Sequence, residues 1–223
     1  MSSDQLQNYV REEDPRGLSL LVDPFRFING APGLVAGLGV VALTVAIGLT
    51  GVSYDGVIDL HVPPTPLPGW FLAAMPVLDW LLVAILFCVA GRLLSRSRQR
   101  VLDYFAMTAL GRAPLAVAGV LLLPPLLGKI LAQVNERIMA NPAAIGQSLM
   151  NLPGLPWLIF GGMVIVLLMI WLGFLNYYAL KEASGLKGPI AVVTFFVVAL
   201  LAELFSKVAI YALGTLVIHG TPL

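Results

Sequence analysis

The sequence predicts an all-α polytopic membrane protein, a bundle of five transmembrane helices, and two observations predict this class. First, 59% of the 223 residues are hydrophobic and only 11% are charged, whereas soluble domains carry about 25% charged residues. Second, no residue between Arg26 and Asp55 is charged, and none between Arg137 and Lys181. Because one helical crossing takes about 20 apolar residues, these stretches predict membrane spans.

Residues 1–30 are predicted to form a cytoplasmic N-terminal tail and interfacial segment, ahead of a five-helix transmembrane domain of residues 31–223. The acidic residues around Glu12 are not typical of a cleavable signal, which begins with basic residues. Residues 18–27 are predicted to form a short interfacial helix. The residues that would hold it on the membrane are Leu20, Leu21, Phe25 and Phe27.

The first span is predicted over Ala31–Val52, whose many glycines would let a neighbouring helix approach closely. Ser53–Gly69 contains four prolines and is predicted to be an extramembrane loop, since irregular backbone is not tolerated in contact with lipid. The second span is predicted to begin at the interfacial aromatic residue Trp70 and to end near Leu94, where arginines follow.

Asp103–Gly111 is predicted to be a short amphipathic helix on the cytoplasmic face. The third span is predicted to begin at Arg112 and to reach Gln133, with a kink at Pro124 and Pro125 because proline removes a helical hydrogen bond. Asn135–Pro156 is predicted to be the second outer loop.

The fourth span is predicted over Trp157–Tyr178 and the fifth over Pro189–Ile218, with a short turn at Lys181–Gly188 between them. Five crossings place the two termini in different compartments. Lys and Arg lie almost entirely in alternate gaps, and such residues stay on the cytoplasmic side. The sequence therefore predicts the N-terminus inside and the C-terminus outside.

Four charged residues are predicted to form an intramembrane polar site: Glu203, Lys207, Asp79 and Lys129. Each charge within a span costs at least ~2.5 kcal/mol, so it faces a partner or a wet cavity. Glu203 and Lys207 have the spacing and order that favour an intrahelical ion pair. Two interpretations stay open: a pair that neutralises itself and locks the bundle, or a functional polar site between helices that Asp79 or loop residues join.

The first outer loop carries a second polar cluster, Asp55, Asp59 and His61. Two carboxylates and an imidazole could bind a divalent ion, with Glu136 and His219 completing the set, although zinc sites need three or four convergent ligands. The alternative is a loop held by hydrogen bonds of its aspartates, reaching Lys207 or Lys129. No metal and no cofactor is predicted, and the single cysteine, Cys88, cannot form an intrachain disulfide.

Basic residues near the predicted cytoplasmic face are expected to contact lipid headgroups. These are Arg92, Arg96, Arg98, Arg100 and Arg112. Each such residue near an anionic membrane surface contributes about 1 kcal/mol, and the same residues anchor the topology; a specific lipid or protein dock is the alternative. A net charge of +1 produces no field that would attract nucleic acid.

The chain resembles the bacterial members of the Yip1 family in the order of its parts. Those parts are Asp23-Pro24-Phe25-Arg26, the loop from Asp55-Gly56 to Asp59-Leu60-His61, the stretch from Leu102-Asp103-Tyr104 to Gly111-Arg112-Ala113-Pro114, and Ala202-Glu203-Leu204-Phe205-Ser206-Lys207. The resemblance implies five spans, an N-terminus inside and no enzymatic activity. Eukaryotic relatives act in membrane traffic with small GTPases through an Asp-Leu-Tyr-Gly-Pro motif, which this sequence lacks.

Three functions are therefore weighed. The first is a non-enzymatic, multi-pass protein of the bacterial inner membrane that organises lipids or partner proteins and can self-associate. The second is a small-solute or ion transporter or channel, with Glu203, Lys207 and Asp79 along its path. The third is a membrane-embedded metal hydrolase using the loop cluster and Glu203, which would need an open metal coordination site.

Overall fold

The fold is all-α, and five of its helical segments are long and apolar enough to span a membrane. A computed structural model of the chain describes residues 21–28, 30–95, 100–140 and 152–220. The helices are α1 (Gly30–Gly48), α2 (Gly69–Leu94), α3 (Val101–Gly111), α4 (Ala113–Leu121), α5 (Lys129–Ala140), α6 (Leu155–Ser184) and α7 (Gly188–Gly220). The spans are α1, α2, α3 together with α4, α6, and α7 up to Thr215. The predicted fold class is confirmed, while the orientation of the termini stays a prediction.

The first and third spans run side by side, and glycine brings their backbones together. A Cβ atom added at Gly37 would lie 2.9 Å from both the Ala106 carbonyl oxygen and the Leu110 amide nitrogen. Only a residue without a side chain fits such a crossing. The backbone N–H of Gly30 also donates a hydrogen bond of 3.2 Å to Asp103 Oδ1, which aligns the starts of the two spans.

The start of the third span differs from the prediction. Asp103–Gly111 is not a surface helix: it belongs to α3, whose side chains at Tyr104, Met107 and Thr108 are buried. Together with α4 it forms a 21-residue crossing, Val101–Leu121. The prediction failed because Arg112 was taken to mark the membrane surface, whereas this residue is buried.

The third span ends earlier than predicted. The predicted kink is confirmed at a π-helical turn, Pro124–Gly128, inside which Leu126 has non-helical φ and ψ of −106° and −111°. Beyond it, α5 is amphipathic and none of its residues is buried, so the predicted continuation of the span to Gln133 is wrong. Of the predicted second outer loop, residues 141–151 lie outside the described residues, and the flanking parts are helical in α5 and α6.

The segment before α1 packs into the protein instead of lying on the membrane. Pro24–Arg26 forms a 3₁₀ turn against α6, and Phe25, at 1% exposed, joins a core cluster with Phe87 and Tyr104. The predicted interfacial role of Phe25 is therefore wrong. Leu21 is exposed, and Leu20 lies outside the described residues.

The fourth span is longer than predicted, and a tight turn near Lys187 joins it to the fifth. Gly185 and Gly188 have φ of +69° and +63°, a left-handed conformation that glycine adopts without a steric cost. Gly185 ends α6 as its C-cap, as glycine commonly does. In the most apolar window of each span, only 17% and 22% of the residues are buried inside the bundle.

Candidate functional site: a re-entrant hairpin and its charged partners

The segment Ser53–His61 folds back into the helix bundle as a short hairpin. The two end residues exchange backbone hydrogen bonds of 2.8 and 3.1 Å, and Ser53, Tyr54 and Val57 are buried. The prediction of an extramembrane loop is thus wrong for this segment. The proline-rich part that follows is exposed at Pro64–Pro66, as expected of such a loop.

The tip of the hairpin lies near the middle of the fifth span. Glu203 Oε2 accepts hydrogen bonds from the backbone N–H groups of Val57, at 2.8 Å, and Ile58, at 3.3 Å. At 1.5 Å per residue, Glu203 is about 22 Å along α7 from Gly188, in a span of about 42 Å up to Thr215. The hairpin therefore reaches about half-way through the transmembrane domain.

Backbone at this depth is tolerated only where its polar groups are satisfied or face a cavity, and the sequence meets this condition. Glu203 takes up the two N–H groups at the tip. Gly56 leaves room for the carboxylate, since a Cβ atom there would lie 2.6 Å from Glu203 Oε1. Directly after the hairpin, the carbonyl oxygen of Val62 accepts a hydrogen bond of 3.2 Å from Asn135 Nδ2 of α5.

The predicted intramembrane pair and the predicted loop cluster meet at Lys207. Its Nζ atom lies 3.3 Å from Glu203 Oε1 and 2.7 Å from Asp59 Oδ2. The predicted intrahelical pair is confirmed, as is the predicted contact between a loop aspartate and Lys207. The hydrogen bond from Lys207 lowers the pKa of Asp59.

His61 links the two loop aspartates. Its Nε2 atom is 3.5 Å from Asp55 Oδ2, and its Nδ1 atom is 3.7 Å from Asp59 Oδ1. The Ser53 hydroxyl donates a hydrogen bond to Asp55. We call Asp55, Asp59, His61, Glu203 and Lys207 the hairpin cluster. Its side chains are 22% to 47% exposed, so they are reachable from outside the bundle.

A second charged group lies deeper in the bundle and joins three spans. Arg112 Nη2 is 3.6 Å from Asp79 Oδ2, and Ser206 donates a hydrogen bond to Asp79 Oδ1. Arg112 is 2% and Asp79 0% exposed. The predicted contact of Arg112 with lipid headgroups is therefore wrong. We call Asp79, Arg112 and Ser206 the buried lock.

The buried lock retains unused hydrogen-bonding capacity. Asp79 Oδ2, Arg112 Nε and Nη2, and the Tyr54 hydroxyl are buried and have no hydrogen-bond partner among the described residues. Burial raises the pKa of Tyr54, and the charge of Arg112 opposes this effect. Buried polar atoms usually find partners, so this part of the core can accept water or a rearranged side chain.

Several predicted residues lie outside both groups. Lys129 is exposed on α5 and has no place in the intramembrane site that was predicted for it. Arg92 and Arg100 are exposed near the ends of α2 and α3 that face each other, whereas Arg96 and Arg98 lie outside the described residues. Headgroup contact by these arginines stays a prediction.

The described residues provide no set of ligands for the divalent metal ion that was considered as an alternative. Within the described ranges, no group of three or more His, Cys, Asp or Glu side chains is placed to hold a metal ion. Asp59 is engaged by Lys207 and Asp55 by Ser53, while Glu136 is exposed on α5. The side chain of His219 lies outside the described residues.

Sequence reasoning missed Ser206 and Tyr54 and misplaced Arg112. One signal was available: Asp79 and Arg112 are isolated charges of opposite sign in apolar stretches, and buried charges are normally paired. Ser206 and Tyr54 carried no such signal. Comparison of the chain with protein-family models, curated proteins and solved structures finds no match.

Proposed function

We propose that this chain is a non-enzymatic integral membrane protein of the Yip1 type, which organises lipids or partner proteins in a bacterial inner membrane. The observation that carries the proposal is the use of the intramembrane charges. They are paired with each other or bound to the hairpin backbone, so they support a structural role. The family likeness rests on the sequence resemblance alone.

The position of the hairpin favours this function over a solute path along the bundle axis. Tyr54 belongs to a buried cluster to which all five spans contribute: Ile47 of α1, Phe71 of α2, Leu115 of α4, Leu172 of α6 and Ile210 of α7. A Cβ atom at Gly119 would collide with the Tyr54 hydroxyl. A solute that moved along this axis would have to displace a well-packed hairpin.

The outer faces of the last two spans offer the surface that an organising protein needs. Large apolar side chains on α6 and α7 are exposed, among them Phe160, Leu167, Phe174, Phe196, Leu200 and Tyr211. Lipid chains or the helices of other membrane proteins can cover such faces, since neither requires hydrogen bonds from them.

To test the proposed organisation of lipids or partner proteins, the protein is extracted together with its surrounding membrane into polymer-bounded discs. Lipids and co-isolated proteins are quantified against the bulk membrane. We expect enrichment of at least one lipid class or one membrane protein. An exchange of exposed apolar residues for other apolar residues, Phe196→Leu with Leu200→Val, should change the enrichment if α7 forms the contact. Discs whose content equals the bulk membrane would contradict the proposal.

Transport is the second candidate, and the exposure of the hairpin cluster favours it. The cluster contains three carboxylates, Asp55, Asp59 and Glu203, and one lysine, Lys207, so it favours a cation or a proton. Flux into proteoliposomes tests this function. Glu203→Gln together with Lys207→Met should abolish a flux that depends on the cluster, whereas Glu136→Gln on the exposed face of α5 should leave it intact. A stable double variant with unchanged flux would remove the main support for transport.

A further inference from the structure

A cavity with polar side chains in its lining lies at the opposite end of the bundle from the hairpin. It has a volume of about 240 Å³ and is lined by the segment before α1 and by the last turns of α6. Its polar lining residues are Asp23, Arg26, Tyr178 and Lys181. The indole N–H of Trp171 donates a hydrogen bond of 2.7 Å to the Leu21 carbonyl oxygen, which holds this segment on α6. We call this space the headgroup cavity.

The charges around the headgroup cavity balance. Arg26 Nε lies 3.1 Å from Asp23 Oδ2, and Lys181 Nζ lies 3.3 Å from Glu182 Oε1. Two cations and two carboxylates give a neutral site in which each cation is paired with one carboxylate. A ligand with one negative and one positive group matches this pattern better than a ligand with a single charge.

Asp23 is not fully satisfied by its neighbours. Its Oδ1 atom is buried and accepts no hydrogen bond within the described part of the chain. Burial, followed by the charge of Glu182, raises the pKa of Asp23. A cationic N–H donor brought to this carboxylate would supply the partner that it lacks.

An apolar groove lies along the same helix, α6. It has a volume of about 520 Å³ and is lined by α6 and α7. The lining residues are Ile170, Gly173, Phe174, Tyr177, Val192, Phe195 and Phe196. Ile170, Phe174, Tyr177 and Lys181 recur at spacings of three and four residues, which places them on one face of α6. The groove therefore leads towards Lys181.

We propose that the headgroup cavity and this groove together bind one phospholipid whose zwitterionic headgroup carries a primary amine, with the phosphate at Arg26 and Lys181, the ammonium at Asp23, and one acyl chain along the groove. The inference deepens the lipid-organising function proposed above and rests on it for its cellular meaning. Binding itself is tested separately.

Other ligands of related chemistry fit less well. A lipid with a net negative headgroup leaves the Asp23 carboxylate without a new partner. A choline headgroup has no N–H to donate to Asp23. Soluble phosphoethanolamine would fill the headgroup cavity but not the apolar groove, whose burial of a hydrocarbon chain supplies most of the hydrophobic contribution.

The test uses the full-length protein in nanodiscs of phosphatidylcholine. A fluorescent phosphatidylethanolamine is titrated in, and the competitors are unlabelled phosphatidylethanolamine, phosphatidylglycerol, phosphatidylcholine and soluble phosphoethanolamine. We expect unlabelled phosphatidylethanolamine to compete best. Arg26→Gln with Lys181→Gln should weaken binding about tenfold or more, because charged hydrogen bonds are lost. Lys187→Gln, which removes an exposed lysine in the neighbouring turn, should not.

A second pair of variants tests the groove without altering charge. A Cβ atom added at Gly173 meets nothing within 4 Å, so Gly173→Leu fills the groove without a backbone clash. Gly39 on α1 is equally open, and Gly39→Leu is the matched control. We expect Gly173→Leu to abolish binding of the labelled lipid and Gly39→Leu to leave it unchanged.

Three results would overturn the inference: equal competition by all three lipids, competition by soluble phosphoethanolamine at the concentration of the lipid, or unchanged binding in both the charge variant and Gly173→Leu. These outcomes are distinguishable from failure of the proposed function. A protein that enriches lipids or partners from native membranes but shows no preference here would retain the function and lose the inference.

Discussion

The buried lock yields the sharpest test of the fold. Replacing Asp79 by Asn keeps an oxygen for the Ser206 hydroxyl but leaves the buried charge of Arg112 without its counter-ion. At 3.6 Å and an effective dielectric constant of about 20, the attraction between unit charges is about 4.6 kcal/mol. Measured losses on breaking buried pairs are about 3–5 kcal/mol. We therefore expect Asp79→Asn to lower the free energy of unfolding by about 3–5 kcal/mol.

Further variants of Asp79 and Arg112 separate the effect of an unpaired buried charge from the effect of a changed side-chain shape. Arg112→Met alone should also destabilise the protein, because it leaves the Asp79 carboxylate unpaired. The double variant Asp79→Leu with Arg112→Met removes both charges and should recover most of the loss, since apolar replacements of buried pairs are often neutral. Glu136→Gln, an exposed charge on α5, is the control and should change stability by less than about 0.5 kcal/mol.

Reversible unfolding in mixed detergent micelles, followed by circular dichroism, measures these differences. Cys88, the single cysteine in the sequence, packs against a buried core cluster and gives an independent signal when a thiol reagent reaches it. A loss below about 1 kcal/mol for Asp79→Asn, or a double variant as unstable as the sum of the two single variants, would refute the proposed pairing.

Three further predictions follow from the hairpin and the helix crossings. In a Cys88→Ser background, Val57→Cys should react with a membrane-impermeant maleimide far more slowly than Thr65→Cys in the exposed proline-rich loop; equal rates would mean that the hairpin is not inserted. Gly37→Leu should cost more than about 3 kcal/mol in unfolding free energy, because its side chain meets α3 backbone, whereas Gly39→Leu should be tolerated; equal stabilities would argue against the crossing. Finally, Lys207 lowers the pKa of Asp59 in the folded state. The Asp59–Lys207 ion pair therefore stabilises the fold above the ordinary aspartate pKa of about 3.9, and this stabilisation is lost as the pH falls below that value. Thermal unfolding of Asp59→Asn should lack this acid-dependent loss, and an unchanged acid profile would count against the Lys207 contact.

The number of spans was predictable from the sequence because hydrocarbon thickness imposes a local requirement. Each crossing needs about 20 apolar residues in succession, and such a run is visible without knowledge of the fold. The turn near Lys187 and the kink after Leu123 were also predictable from local sequence, because glycine and proline change the conformation of their own backbone. The i to i+4 pair of Glu203 and Lys207 is equally local.

The hairpin was not predictable, because its stability depends on a distant partner. Val57 and Ile58 are separated from Glu203 by about 146 and 145 residues. Taken locally, a segment with two aspartates, a histidine and following prolines is typical of an aqueous loop. Only the fold supplies the carboxylate that satisfies its backbone within the bundle.

Arg112 shows how a charge whose partner is not recognised in the sequence shifts the predicted start of a span. An arginine beside an apolar run normally marks the membrane surface, so the third span was predicted to begin there. Asp79, on another span, neutralises this arginine inside the bundle. The helix before Arg112 is then free to cross the membrane as part of the third span, and the amphipathic helix without buried residues is α5.

The two polar regions differ in what they demand of the membrane. The hairpin cluster is half exposed near the middle of α7, where a bare charge facing lipid costs at least ~2.5 kcal/mol, so this face requires water or a polar partner. The headgroup cavity lies near the end of α6, where a lipid headgroup meets its charges without that cost. If the proposed lipid site is correct, the end of α6 needs no protein partner, whereas we expect the hairpin face to be covered by water or by a second copy of the chain. Dilution of the protein in lipid should consequently expose the hairpin cluster before it affects the headgroup cavity, and labelling of Asp59→Cys should rise with the lipid-to-protein ratio. A labelling rate independent of that ratio would assign the hairpin face to a water-filled cavity, as transport requires.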